Sequence, residues 1–515
     1  MRSTFHGLET ARRGMVTQQS ALYVTGHNIS NANTPGYSRQ VVNFQQTEAY
    51  PAASVNRPMM PGTLGTGVEA GSIARVREQF LDIQYRGENM KNGYYSSKSE
   101  ALYKMEQIMN EPSDDGLANT MNRFWNSLQD LATNPEDDGA RLVVAQRGQA
   151  VADTFNYLST TLSTIKYDLK SEIDVTTNSV NTLLTQINSL NKQISEIEPH
   201  GYLPNDLYDQ RDSLVDQLSN LVNVRVTKEK PANYGNALAI AEGTYKIELM
   251  DRTNTTSYGT LVDGTNFTVN PVGVTYATET VNGNSVEYIS GVTIQGGTTV
   301  TSYDFFGKLN GLVESFGYKN ANGEVTGSYM RMLNDLDKLA NAFAKEFNSV
   351  HESGKQYNSN LNAPSFFNDI TSAKTIKMNP AIFTNPALIA AAKQDNSAGD
   401  GSNALELAAV MSKEVSTFAD QASVTGITGN LNSFYEGMIG AMAVEAQESK
   451  RLKLNSEVLI TTVDNNRQSV TGVSIDEEMT NMIKFQHAYN ASARNITIID
   501  EMLDKIINGL GTGGR

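Results

Sequence analysis

The residues in this 515-residue chain best able to bind a metal or move a proton are five histidines, His6, His27, His200, His351 and His487. They are scattered. His351 is followed by Glu352 but by no second histidine at helical spacing, so zinc-hydrolase geometry has no support. Gly62, Gly65 and Gly67 form a glycine-rich stretch without dinucleotide or P-loop spacing, and Pro61 beside them favours a hairpin or linker. Asp114-Asp115 and Glu136-Asp137-Asp138 are carboxylate clusters, yet each precedes a helical pattern, where carboxylates satisfy free amides and favour the dipole. Asp209, Arg211 and Asp212 could be drawn as an acid–base set, but on a leucine-striped helix surface or interhelical ion pairing is the default. The absence of cysteine removes thiol nucleophiles, thiolate metal sites and disulfides. No catalytic, cofactor or metal site is expected, because no nucleophile, base and orienting group come together.

The elements that would position any site are mostly helices, and the most telling lie at the two ends. Apolar residues recur every seven positions at Leu8, Met15, Leu22 and Ile29, and again at Met482, Tyr489, Ile496, Leu503 and Leu510, with Ile499 and Ile506 widening the second stripe. Seven-residue spacing lets a helix keep one seam against another helix. Neither segment can bury its stripe alone, so the ends are expected to pair, antiparallel or parallel, or to join a larger assembly.

After Ile29 comes Asn31-Ala-Asn33-Thr34-Pro35-Gly36-Tyr37, which reads as a structural turn. Pro35 sets φ at its first central position and Gly36 accepts the positive φ of a type II turn. Residues 37–73 alternate loosely among prolines that include Pro51, Pro58 and Pro61, suggesting extended segments or a linker. Leu117, Met121, Phe124, Leu128 and Leu131 form a core-facing stripe closed by Asn134-Pro135. The longest periodic run follows, with Leu162, Leu169, Leu183, Leu190 and Ile197 in one row and Ile173, Val180, Ile187 and Ile194 in its companion. A helix from about Gly139 to Glu198 would span on the order of 85 to 90 Å before Pro199 and Gly201 stop it. Leu207, Leu214, Leu218 and Leu221 mark another helix. From Lys228 to about Phe306 the texture changes to short β-prone runs separated by Asp263-Gly264, Asn282-Gly283 and Gly296-Gly297. Helical texture resumes at Met332, Leu336, Leu339, Phe343 and Phe347, and again from Ala404 to about Arg451. The fold class is therefore mainly α with an inserted antiparallel β domain, a discontinuous helical rod with paired terminal coiled-coil helices.

Composition bounds the partners. A net charge of −15 and a pI near 4.9 oppose binding to a polyphosphate backbone. No apolar run approaches eighteen residues, so no membrane insertion is expected, and Met1 to Thr10 carry no apolar core of a cleaved secretion signal.

At the ends the sequence also resembles a known family. GLETARRGMVTQQSALYVTGHNISNANTPGYSRQ, Gly7 to Gln40, is similar to the N-terminal signature of bacterial flagellar axial proteins, and GVSIDEEMTNMIKFQHAYNASARNITIIDEMLDKIIN, Gly472 to Asn508, to their C-terminal counterpart. Tyr37-Ser38-Arg39-Gln40 after Thr34-Pro35-Gly36 resembles the hook-associated protein 1 family rather than hook or rod proteins. Two internal segments agree, Asn205 to Val224 and Leu336 to Gly354. Longer members carry a further insertion after the stretch similar to Asn348 to Gly354. Here a short loop intervenes, so a third outer domain is expected to be missing.

The resemblance implies an inner coiled-coil domain from residues 1–60 and 470–515, a helical rod domain from 61–227 and 307–469, and an outer β domain from 228–306. It implies a non-enzymatic structural subunit of the bacterial flagellum that forms the hook–filament junction and is a platform for filament assembly. Leu8, Met15, Leu22, Ile29, Met482, Tyr489, Ile496, Leu503 and Leu510 would then be the subunit interface, and Asn31, Asn33, Thr34, Pro35, Gly36 and Tyr37 the family turn. The implied partners are other copies in the axial lattice, hook protein, hook-associated protein 3 and a flagellar export chaperone, with type III export to an extracellular flagellar location and no cofactor. The rival readings are a hook or rod subunit, opposed by Ser38-Arg39-Gln40, and a secreted adhesin acting through its β domain.

Overall fold

A computed structural model describes the chain except residues 1–4, 52–54, 56–61, 115, 232–233, 282–283, 297–298, 394–398, 421–423 and 510–515. Pro58, Pro61, Asp115, Asn282-Gly283, Gly297 and Leu510, used in the sequence reading, lie outside the described residues. None of the described helices is long and apolar enough to cross a membrane.

The helices are α1 (Phe5–Ser30), α2 (Gln79–Met109), α3 (Leu117–Thr133), α4 (Asp138–Ile197), α5 (Asn205–Leu221), α6 (Lys308–Phe316), α7 (Ser328–Ser353), α8 (Pro380–Thr384), α9 (Ser402–Ala409), α10 (Leu431–Thr471) and α11 (Ile475–Gly509). The long periodic run folds as the 60-residue α4, capped by the Asp137 carboxylate, which accepts from the Gly139 amide at 2.8 Å. The companion row Ile173, Val180, Ile187 and Ile194 is its deepest, fully buried line. At α3 the capping expectation is corrected for Asp114. Gly116 is the N-cap and offers no side chain, and Glu111 reaches across to accept from the Ala118 amide at 3.0 Å while Asp114 contributes only its carbonyl. The helix expected from Ala404 to Arg451 is two, α9 ending at Ala409 and α10 starting at Leu431 and running on to Thr471.

Residues 37–73 hold more than a linker. β1 (Gln40–Gln46) and β2 (Val68–Arg75) form an antiparallel ribbon, with Gln40 opposite Arg75. The β-rich segment begins at Val224. β3 (Val224–Glu229), β4 (Thr244–Met250), β5 (Ser257–Asp263) and β6 (Thr268–Val269) form one antiparallel sheet in that order. β7 (Val272–Val281), β8 (Asn284–Ile294), β9 (Thr299–Val300), β10 (Tyr318–Lys319) and β11 (Val325–Thr326) form a second sheet in the order β11-β10-β8-β7, with β9 also on β8 and β10 running parallel to β8. These sheets lie along α4. Asn181 pairs both ways with the Val272 backbone, and Asn191 does the same with Tyr245. Tyr245, Ile247, Leu249, Leu261 and Val262 share one contiguous apolar core with Val180, Leu184 and Ile187. The strands are thus built onto the rod's core. Turn-rich texture marks strands but carries no sign of what covers them.

α2 and α10 run antiparallel beside α4 to α7, and both lead toward the same end of the rod, where α1, α11 and the β1–β2 ribbon form a separate body. That body has its own small apolar cluster of Ala21, Val24 and Val42, with Ile73 and Phe485 against it.

Candidate assembly interface

The two terminal stripes meet as an antiparallel pair. A side chain added at Gly7 would lie 3.2 Å from the Ile499 side chain, one at Gly14 3.2 Å from Ser492 Oγ, and Asn28 donates to Glu478 at 3.1 Å. The row of closest approach on α1 is therefore Gly7, Gly14, Ala21 and Asn28 at seven-residue steps, facing Ile499, Ser492, Phe485 and Glu478. Small residues let the backbones come near, and larger ones fill from the other side. A search for large apolar residues finds the neighbouring row instead. Leu8, Met15, Leu22 and Ile29 are half-buried on the shoulder of α1, and Met482, Tyr489, Ile496 and Leu503 are half-buried on the seam face of α11.

α1 buries a second face on the ribbon, where Thr17 Oγ1 donates to the Val68 carbonyl at 3.1 Å. Its third face stays in solvent and is apolar in part, with Phe5 60%, Val16 48% and Tyr23 71% exposed. On α11, Met479, Ile483, Ile498, Met502, Ile506 and Ile507 are likewise exposed. Apolar groups at this density along one pair of helices are what an unfilled protein contact looks like.

The turn residues Asn31, Asn33, Thr34, Pro35, Gly36 and Tyr37 close α1. The Tyr37 amide donates to the Thr34 carbonyl at 3.2 Å, Gly36 takes φ +80°, and the Thr34 amide donates to the Asn31 carbonyl at 2.9 Å. Tyr37 Oη donates to Asn28 Oδ1 at 2.8 Å, and the same oxygen accepts from the Gln40 amide at 3.0 Å. Asn28 thereby locks the turn, the ribbon and, through Glu478, α11.

The four residues Tyr37-Ser38-Arg39-Gln40 form the joint to the rod. Ser38 is buried and gives both its amide, at 2.8 Å, and its hydroxyl, at 2.7 Å, to Asp209 on α5. Arg39 pairs with Glu477 and Glu478 at 2.7 and 2.8 Å, and its amide donates to the Thr471 carbonyl at 2.9 Å. Gln40 Nε2 donates to Asp206 at 2.8 Å.

Below this lies a buried ionic network. Arg75 pairs with Asp209, Asp212 and Glu242, each at 2.7 Å. Arg77 clasps Asp82, Arg86 bridges Asp212 and Asp216, Arg211 reaches Glu242 at 3.2 Å, and Arg467 of α10 pairs with Asp216 at 2.6 Å. Five arginines thus face five carboxylates. The expectation of ordinary surface or interhelical pairing for Asp209, Arg211 and Asp212 is corrected in degree. Arg211 and Asp212 are almost wholly buried, whereas Leu207, Leu214 and Leu221 are only half so. The helix buries these charges beside Tyr208, Val215 and Leu218. Burial would push the Asp212 carboxyl up, but Arg77, Arg75 and Arg86 hold it well below the usual carboxylate range. For Asp209 burial prevails over Arg75 and Ser38 and raises it. Every group here is committed to another protein group, and among the described residues no cluster could hold a metal ion. The arrangement ties α5 to β2, α2 and α10.

Comparison with known proteins fits this. Residues 102–367 match the model of the flagellar hook-associated protein FlgK helical domain, residues 8–37 that of the flagella basal body rod protein, and residues 464–509 that of the flagellar basal body rod FlgEFG protein C-terminal region. The chain is 46% identical to flagellar hook-associated protein 1 of Bacillus subtilis, with 100% of both chains covered. It is 23% identical to flagellar hook-associated protein 1 of Escherichia coli, over 97% of this chain and 99% of that one. The structure of the flagellar hook junction protein FlgK from Burkholderia pseudomallei shares the fold, with a TM-score of 0.54 at 16% identity over 75% of this chain and 100% of that chain.

Proposed function

The chain belongs to the flagellar hook-associated protein 1 family, and from that premise we propose that it is a structural subunit of the bacterial flagellum, at the junction of hook and filament, without catalytic activity. The observation that carries the reading is the solvent-facing apolar strip on the α1–α11 pair, Val16 and Tyr23 on one helix and Ile483 and Ile498 on the other. In the assembled flagellum neighbouring copies cover that strip, together with the half-buried shoulders at Leu8, Met15, Leu22, Ile29, Met482, Tyr489, Ile496 and Leu503. The subunits seat on hook protein and receive hook-associated protein 3. Delivery is by the flagellar type III route with an export chaperone. The three-part division into terminal pair, rod and β region follows the same plan, with the β region built on the rod's core.

Tyr23→Asp and Ile483→Asp test the reading. Both positions are exposed, so the monomer keeps its helical content and stability. Desolvating the introduced carboxylate in an interface costs several kcal/mol, repeated at every subunit. Cells carrying either variant as the only copy are expected to export it, fail to seat it, lose motility and shed filament protein into the medium. Normal swimming by both strains would overturn the assignment of this face.

A further inference from the structure

β3 is the outermost strand of its sheet, and a groove runs beside it. Met250 of β4 donates its amide to the Asn223 carbonyl at 3.0 Å, and the ladder alternates from there, with Val224 opposite Leu249 and Arg225 opposite Glu248. Val224, Val226 and Lys228 therefore aim their amides and carbonyls away from β4, and these groups have no partner among the described residues. All of residues 224–228 line one groove of about 540 Å³. Successive side chains of a strand point to opposite faces, so a cavity shared by five consecutive residues lies against the strand's edge. Across it stands α2, whose Ile83, Gly87 and Met90 line the groove at helical spacing, with Ile83 60% exposed. Gly87 lies inside the helix, where glycine weakens it, yet a side chain there would meet nothing within 4 Å. A glycine with open space before it is the residue that lets another backbone come close. Five cations line the groove against two carboxylates, Asp82 and Glu242, in a chain of net charge −15, and of these cations Arg225 and Lys228 are partly exposed.

We propose that this groove takes up an extended, acidic segment of a partner protein, which pairs with β3 as an added strand. Addition to a free strand edge draws its affinity from main-chain hydrogen bonds and its selectivity from the side chains around them. From Val224 to Lys228 a strand rises about 14 Å, room for on the order of five residues. Ile83 offers an apolar seat, and Arg225 and Lys228 favour carboxylates. A second copy adding its own β3 would instead gather two sets of these cations at one edge, which repel. The groove lies apart from the apolar strip of the terminal pair, so it can be filled whether or not the junction reading holds.

The probe is the amidated pentapeptide Glu-Val-Glu-Val-Glu carrying fluorescein at its N-terminus, titrated with the full-length chain and read by fluorescence anisotropy. It is expected to bind saturably. The same peptide methylated at its backbone nitrogens keeps its charge but cannot donate to β3, and should bind at least about tenfold more weakly. Lys-Val-Lys-Val-Lys should not saturate. Gly87→Leu fills the groove with a better helix former, so the variant should keep its circular dichroism and a thermal midpoint at or above the parent's while losing at least about tenfold in affinity. Absence of saturable binding would overturn the proposal. Equal binding of the methylated peptide would do the same, since charge alone would then hold it, and so would an unchanged affinity in Gly87→Leu. Concentration-dependent dimerisation of the chain by itself, abolished by Gly87→Leu, would give the groove to a second copy and overturn the choice of partner.

Discussion

Asp212→Asn is the most incisive single change available in the ionic network. The substitution keeps size and shape and removes one negative charge from a site almost closed to water. Asp212 Oδ2 accepts from Arg75 at 2.7 Å, and Oδ1 accepts from Arg86 Nη2 at 3.0 Å and from Tyr245 Oη at 2.8 Å. An amide can replace one of these oxygens as acceptor but turns the other into a donor aimed at a guanidinium. The network is left with one positive charge in excess. Breaking a buried pair from one side costs about 3–5 kcal/mol, because an uncompensated charge remains behind. Urea unfolding followed by circular dichroism, with fluorescence of the sole tryptophan, Trp125 in α3, as a rod probe, should show a loss of that size. The pH dependence supplies an independent check. Asp212 sits below its unfolded value in the folded state, so its stabilisation is present above the unfolded carboxylate range and is lost as pH falls through the depressed folded value. The variant should therefore show a shallower loss of stability in acid than the parent. Asp212→Asn combined with Arg75→Gln, which restores neutrality, should recover part of the loss. A cost under about 1 kcal/mol, with an unchanged acid slope, would refute the view that this network fixes α5 to β2 and α2.

Three further outcomes are expected. His351 is buried, its Nδ1–H donates to the Pro364 carbonyl at 2.7 Å and its Nε2 accepts from the Ala390 amide at 3.1 Å, and burial lowers it to about 4. The unfolded chain takes up that proton near 6.5, so stability falls as pH drops from about 6.5 to 4, by up to about 3 kcal/mol, and nitrogen-detected resonances of labelled histidine should show a neutral Nδ1–H ring in the folded protein until the pH approaches about 4. Gly14→Leu should weaken the α1–α11 seam by about 1–3 kcal/mol through overpacking against Ser492, seen as faster proteolysis of both helices while the rod resists. Replacing residues 228–306 with a flexible linker should cost the rod its cooperative unfolding and much of its helical dichroism, because Tyr245, Ile247 and Leu249 belong to its core.

Much of the frame was legible because it obeys simple periodicities. α4 was placed within a residue at each end, since two apolar rows run through its second half and an acidic cap and Pro199-Gly201 mark its ends. The Thr34–Tyr37 turn was legible because Pro and Gly each admit few conformations. Other features were hidden for physical reasons. Of the stripe Leu207, Leu214, Leu218 and Leu221 on α5, Leu218 is fully buried as its spacing implied, but ion pairs from Arg75 and Arg86 also hold Asp212 inside, and nothing local announces a partner more than a hundred residues away. The closest row of the terminal pair escaped notice because glycine and alanine carry no hydropathy signal. The β texture from Lys228 to about Phe306 was legible as strands, but turn residues report where strands end, not what they lie against, so the core shared by Tyr245, Ile247 and Leu249 with Val180 and Ile187 was not.

The way α1 and α11 lie against each other also sets how the molecule meets force. Their far ends, around Gly7 and Ile499, sit side by side at one tip, while the other ends are anchored at Asn28, Arg39 and Glu478. Tension between the two far ends would open the pair like a zipper, loading one turn of Gly7, Gly14 and Ala21 contacts at a time, which requires little force at any instant. A load that enters through the outer faces would act along the helices, in shear, and engage all those contacts together with the arginine-rich joint at once. The same seam is therefore compliant to peeling and stiff to sliding.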